Sequence, residues 1–228
     1  MSPSMGTKLR GRHAAPRTDQ LIDLLVADLE PVDRARVSRA PIIASLIGAV
    51  AAFAAMLLFL GPHPEIFDGQ NLGFLSIKML FTLSIVVTAA AFLPRLARPG
   101  AAGDAFLPLV CLPFVAIAAV AALPLAATHW VGWGGMMVVK GWLTCVLYVP
   151  LFAIAPFAAI VYGLPAGAPT NDARAGGAAG LVAGGLSATA CALSCVDDSL
   201  PSIALWYGLA IAICAGLGAK LGSRLLRW

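Results

Sequence analysis

Charge is what this chain is short of. Only 11% of its 228 residues are Asp, Glu, Lys or Arg, against about 25% in an ordinary soluble protein, whereas 60% are hydrophobic and the mean hydropathy is +0.90. That balance excludes a water-soluble globular domain. Carboxylates are absent from all of the long apolar runs at 40–60, 74–93, 106–127, 139–163, 173–194 and 203–222. A small ion-coupled transporter is expected to carry an ionisable residue or a broken helix near the membrane midplane, so the missing acid argues against one. The five cysteines include no C-x-x-C pair, which argues against a membrane thiol oxidoreductase, although Cys145 and Cys195 could still exchange with a partner. There is no internal repeat and no diagnostic metal-ligand spacing. No cleavable leader is expected either, because the polar tail runs for forty residues before the first apolar run.

What the chain does have is six runs of membrane-crossing length, each near the roughly 20 residues that a helix needs to traverse hydrocarbon. Pro and Gly punctuate the gaps, as in Gly61-Pro62-His63-Pro64, Pro94, Pro99-Gly100 and Pro165 to Thr170. The expected fold is all-α: a six-helix transmembrane bundle with a short cytoplasmic N-terminal amphipathic helix. Short connections predict an up-down arrangement in which consecutive spans lie antiparallel and adjacent. Glycines at 176, 177, 180, 184 and 185 in the fifth span and 208, 216, 218 and 222 in the sixth predict close approach of the last two helices.

Sidedness follows from the basic residues. Of the 15 Lys and Arg residues, all but Lys78 and Lys140 fall in the N-terminal tail, the even-numbered connections or the C-terminus, which the positive-inside rule assigns to the cytoplasm. Both termini are therefore expected there. The same sidedness accounts for the net charge of +4 without direct nucleic-acid binding. Two parts are expected, a cytoplasmic tail over 1–39 and a six-span membrane domain over 40–228 embedded in the lipid bilayer.

Within the tail, residues 18–31 read as an amphipathic helix, with Thr18 as N-cap, Asp19 at the positive end of the dipole and Pro31 as the stop. Leu21, Ile22, Leu24, Leu25, Val26 and Leu29 fill an apolar arc that Asp28 interrupts, and Asp23 and Glu30 take the far face. A helix this short is marginal alone, so its apolar face needs a cover. The bundle itself, a lipid surface and another protein's groove are the three covers available. Acidic residues on the polar face count against anionic lipid and fit a basic protein groove taking apolar residues at i, i+3, i+4 and i+8. The basic segments on either side, Lys8 to Arg17 and Arg34 to Arg39, read as disordered or membrane-hugging.

The expected topology also places the thiols. Cys145 falls two turns inside the outer start of the fourth span, Cys195 at the outer exit of the fifth and Cys191 one turn below it, whereas Cys111 and Cys214 read as packing residues. In an oxidising outer compartment Cys145 and Cys195 are a candidate redox pair. Their difference in depth, roughly 10 Å at 1.5 Å per residue, makes Cys191 an alternative neighbour. Asp197, Asp198, His129 and His63 could instead help thiolates hold a metal, and inert burial is the remaining reading. Lys78 and Lys140 read as side chains that snorkel to the outer headgroups or pair with Glu65, Asp68, Asp197 or Asp198. Trp130, Trp133, Trp142 and Trp206 gather at the outer boundary as an aromatic belt.

Three stretches carry a resemblance: Thr18 to Val32, Gly141-Trp-Leu-Thr-Cys145, and Cys195 to Tyr207 with the terminal Arg224-Leu-Leu-Arg-Trp228. Together they make the chain similar to the NrsF-type family of bacterial inner-membrane anti-sigma factors over nearly its whole length. The resemblance implies a non-enzymatic regulator without a cofactor. Such a protein sequesters an extracytoplasmic-function sigma factor at the membrane and releases it on redox or heavy-metal stress. It further implies that Cys145 and Cys195 are the sensing cysteines and that Leu21, Ile22, Asp23, Leu24, Leu25, Asp28 and Leu29 meet the sigma factor. Ser194 stands where relatives often place His before the second cysteine, which weakens a metal-binding version of the sensor.

Overall fold

The computed structural model describes residues 27, 34–61, 72–96, 106–139, 141–163, 171–194 and 199–225. Contacts divide the chain into two units, Met1–Asp33 and Arg34–Trp228. Of the first unit only Ala27 is described, as helical and exposed, so the helix expected over 18–31 otherwise lies outside the described residues.

Every regular element among the described residues of the second unit is a helix. Helix α1 spans Arg34–Phe59, α2 Leu72–Leu96 and α3 Phe106–Ala127. A 3-10 turn at Trp130–Gly132 and the short α4 (Trp133–Met137) then lead to α5 (Trp142–Gly163), α6 (Asp172–Ala192) and α7 (Leu200–Leu225). Six of these helices are long and apolar enough to cross a membrane. Helix α1 begins at Arg34, so the basic stretch 34–39 opens the first long helix. Prolines lie inside several helices, and Ser45 Oγ donates to Pro41 O at 2.7 Å and Thr128 Oγ1 to Pro124 O at 2.8 Å as back-bonds to the carbonyl four residues earlier.

The least hydropathic of the six spans occupies the centre. Helix α6 consists largely of Gly, Ala, Ser and Thr, and 94% of its 18-residue window is buried. It packs against α7 most extensively, then α2, α5 and α1. In lipid, where apolar side chains gain little by meeting one another, close backbone packing drives association, and small residues permit it. A Cβ added at Gly222 would lie 2.6 Å from Gly176 Cα, and one at Gly218 would lie 2.9 Å from Gly180 Cα. The two helices thus interlock through a Gly-x-x-x-Gly pair on each. Not all the glycines take part, since nothing lies within 4 Å of a Cβ at Gly216.

The register of these contacts makes α6 and α7 antiparallel, with Asp172 and Gly176 against Gly222 and Gly184 against Ile211. Helices α1 and α5 are antiparallel likewise, Gly163 meeting Ala40 and Gly48 meeting Pro156. Consecutive spans are not always neighbours, contrary to the up-down expectation. Helix α1 packs along α5 more than along α2, and α3 reaches α2 and the first turns of α7 but scarcely meets α5. The reason is local: the connection from α3 to α5 contains the 3-10 turn and α4, and is long enough to separate the helices it joins.

Candidate functional site

One end of the bundle carries the described arginines and Lys220, at the starts of α1 and α6 and the ends of α2 and α7. The opposite end carries tryptophans and two of the cysteines. There, Gly141 adopts φ +90° and turns the chain into α5, whose first turn is closed by Thr144 N donating to Gly141 O at 2.9 Å. The fourth span therefore starts at Trp142, three residues beyond the expected 139, and Cys145 sits in its first turn instead of two turns deep. That placement leaves Cys145 about 4.5 Å inside the start of its span instead of roughly 10 Å. Cys145 is buried, in phase with the buried stripe Val149, Phe152, Ala153, Pro156 and Ile160 that faces the core.

Cys191 occupies the last turn of α6, fully buried, in the same core as Cys145. The helix closes with Leu193 N on Ala190 O (3.2 Å) and Ser194 N on Cys191 O (2.9 Å). Ser194 Oγ then donates to Gly61 O at 2.9 Å, tying the exit of α6 to the end of α1. Gly61 has φ +71°, and its N–H donates to Met56 O at 3.0 Å as the left-handed residue that ends α1. Cys195, Asp197 and Asp198 lie outside the described residues, as do His63, Glu65, Asp68 and Lys140.

Helix α7 opens with Ser199 as N-cap, its Oγ accepting from Ser202 N at 3.3 Å, and with Pro201 in the first turn. Ser199 Oγ also donates to Met136 O. The segment Ile203–Tyr207 is π-helical. From it Trp206 donates its indole N–H to Met137 O at 2.6 Å and stacks on Trp142, ring centroids 4.3 Å apart. These two tryptophans therefore bind helices to one another, whereas Trp130 and Trp133 remain exposed. Trp133 donates to the carbonyls of Leu125 and Thr128.

Lys78 departs from one of its two expectations, snorkelling, while the acids of the other lie outside the described residues. It is 1% exposed, with Nζ 5.7 Å from the ring centroid of Tyr207, and does not snorkel to the headgroups. The reason is helical phase: Lys78 belongs to the α2 stripe Phe81, Thr82, Ile85, Ala89 and Leu93 that packs into the core. One turn on, Thr82 Oγ1 donates to Lys78 O at 2.9 Å and accepts from Thr189 Oγ1 of α6 at 3.0 Å, the Thr189 proton having Gly185 O at 2.7 Å as its alternative acceptor. A buried polar line thus crosses from α2 to α6 beneath the cysteines. The sequence did not single out this face, because α2 is apolar all round, with Leu80, Leu83 and Val87 exposed on the other side.

The remaining cysteines divide. Cys214 is buried against Gly184, whose added Cβ would lie 2.8 Å from Cys214 Cβ, as a packing residue should. Cys111 is off the buried stripe of α3 and exposed, contrary to the packing expectation. His129 lies beside Trp130, centroids 5.9 Å apart, and no group of three metal-ligating side chains gathers among the described residues. The expected tail contacts Leu21, Ile22, Asp23, Leu24, Leu25, Asp28 and Leu29 lie outside the described residues.

Comparison with known proteins is specific. The chain is 29% identical over 212 residues to a probable anti-sigma-F factor NrsF of Azospira oryzae and 30% identical over 215 residues to the anti-sigma-F factor NrsF of Caulobacter vibrioides. Each alignment covers 93% of this chain and 100% of the relative. No solved structure matches. A family model described as negative regulator of sigma F matches residues 25–228, and on that extent of agreement the chain belongs to the NrsF family.

Proposed function

We propose that this chain is a membrane-bound anti-sigma factor. It holds an extracytoplasmic-function sigma factor at the bacterial cytoplasmic membrane and releases it when outward-facing cysteines change state on redox or heavy-metal stress. The family match over 25–228 carries the reading: a family of negative regulators of sigma F makes this chain a regulator rather than an enzyme. Six membrane-length helices support the location. The bias of Lys and Arg toward one end supports cytoplasmic termini.

In this reading the tail is the binding segment. Leu21, Leu24, Leu25 and Leu29, with Ile22, fill a groove on the sigma factor, and Asp23 and Asp28 meet basic residues there that otherwise serve polymerase or promoter DNA. The family match includes Leu25, Asp28 and Leu29 and begins just after Leu24. At the other end, Cys145 and Cys195 change together, either by two-electron oxidation to a disulfide with loss of two protons to an external oxidant, or by thiolate capture of a thiophilic metal. Burial of Cys145 in the first turn of α5, against the core that α6 shares, supports a route from thiol to helix packing.

The test is co-purification from membranes of the full-length chain with its sigma factor. Leu25→Asp inserts a charge where a groove expects a methyl cluster. A hot-spot loss of about 2 kcal/mol or more lowers capture roughly 30-fold. Undiminished capture by Leu25→Asp would refute the groove.

A further inference from the structure

Regular helix is interrupted once along α7. Leu200–Ser202 and Gly208–Leu225 are α-helical and Ile203–Tyr207 between them is π-helical. Turns of this kind are rare, each contains one residue more than the α-turn it replaces, and they recur at functional sites. The sequence Ile-Ala-Leu-Trp-Tyr has no Pro or Gly to force one. Contacts grip the helix on either side of it.

Two independent grips are present. On the tryptophan side, Ser199 Oγ bonds Met136 O, Trp206 Nε1 bonds Met137 O at 2.6 Å, and Trp206 stacks on Trp142. On the far side, Gly218 and Gly222 lie backbone to backbone with Gly176 and Gly180, so that part of α7 cannot turn without carrying α6 with it. The wide turn lies between these grips, where its extra residue can take up a one-residue mismatch. Loosening either grip lets it close to regular α-helix, displacing one flank relative to the other by about 1.5 Å and 100°.

We propose that Ile203–Tyr207 is the coupling element of the sensor, a one-residue register switch for which Trp142 and Trp206 are the positioning residues. The inference rests on the regulatory reading above. Trp142 stands in the same first helical turn as Cys145, so a change in the thiol's packing reaches its indole directly. Trp206 follows through the stack, the π-turn closes, and the interlocked α6–α7 pair moves as one body toward the basic end. Tyr207, the last residue of the turn, shields the buried ammonium of Lys78, which links α2 to the same event.

The test uses the full-length chain in nanodiscs and in cells, in a Cys111→Ser, Cys214→Ser background. Stacked indoles 4.3 Å apart give an exciton couplet in circular dichroism, absent from Trp206→Leu. Treating the chain with methyl methanethiosulfonate, a small thiol reagent, should abolish the couplet. In cells carrying a sigma-dependent reporter and challenged with the thiol oxidant diamide, deletion of Ala204 removes the extra residue. It should leave basal repression intact while cutting induction at least about 5-fold, the lower end of usual allosteric coupling. If the deletion variant is missing from membranes, Trp206→Leu, which keeps the residue count, should show the same loss. An unchanged couplet after modification, or wild-type induction in either variant that assembles, overturns the proposal. Failure of the wild-type chain to repress at all would instead refute the regulatory reading, and the couplet would still decide the switch.

Discussion

The ammonium of Lys78 rests 5.7 Å from the centre of the Tyr207 ring, joining α2 to the π-turn of α7 inside the bundle. A buried cation facing a ring is stabilised by the quadrupole, worth about 2 kcal/mol or more when desolvated. Tyr207→Leu should therefore lower the thermal midpoint of the purified chain clearly more than Tyr207→Phe, which keeps the ring face. Equal midpoints for the two variants would show that the ring carries no such weight.

The glycines of α6 and α7 provide a comparison within one pair of helices. Gly180→Ala places a methyl against the backbone of Cys214 and Ala215 and should destabilise by about 1–3 kcal/mol, the usual cost of overpacking. Gly216→Ala meets open space and should be neutral or gain about 0.5–1 kcal/mol from reduced backbone freedom. Thermal aggregation in detergent reads both, and a reversed order would contradict the interlocked seam.

Thr82 and Thr189 form a buried side-chain hydrogen bond between α2 and α6. Such bonds in membrane proteins average about 0.6 kcal/mol by double-mutant cycles. A cycle of Thr82→Val and Thr189→Val should return a favourable coupling of about that size. Strict additivity would mean that the two hydroxyls act only on their own helices.

Much of this architecture was legible in the sequence, and the parts that were not share a cause. Six apolar runs of the right length were enough to place six helices, because hydrocarbon leaves a backbone few other ways to satisfy its polar groups. The central position of α6 was half visible: its glycines announced a tight contact with α7, but its low hydropathy concealed that it faces protein on nearly every side. Helix order misled, because adjacency in sequence implies adjacency in space only when loops are short, and the segment from Thr128 to Gly141 is not. The burial of Lys78 was not legible, because α2 is apolar on every side and only packing selects the face of Phe81, Thr82 and Ile85. The π-turn at Ile203–Tyr207 was not written locally at all, since contacts on both sides of it set the register. The depth of Cys145 was misjudged because Gly141, with φ +90°, delays the start of α5.

The cysteines are expected to divide by role. Replacing Cys145 and Cys195 together by Ser should fix the regulator in one state and abolish the stress response of a sigma-dependent reporter. Replacing Cys111, exposed on α3, and Cys214, buried against Gly184, should leave it intact. A normal response in the first variant would remove those two thiols from the mechanism.

The polarity of the chain across the membrane decides whether tail and cysteines can play these parts. In a background with the native cysteines replaced by Ser, Thr18→Cys and Ser199→Cys are labelled with a membrane-impermeant maleimide on intact spheroplasts and again after permeabilisation. The account predicts that Ser199→Cys reacts in intact spheroplasts and Thr18→Cys only once the membrane is opened. Labelling of Thr18→Cys from outside, with Ser199→Cys protected, would contradict it.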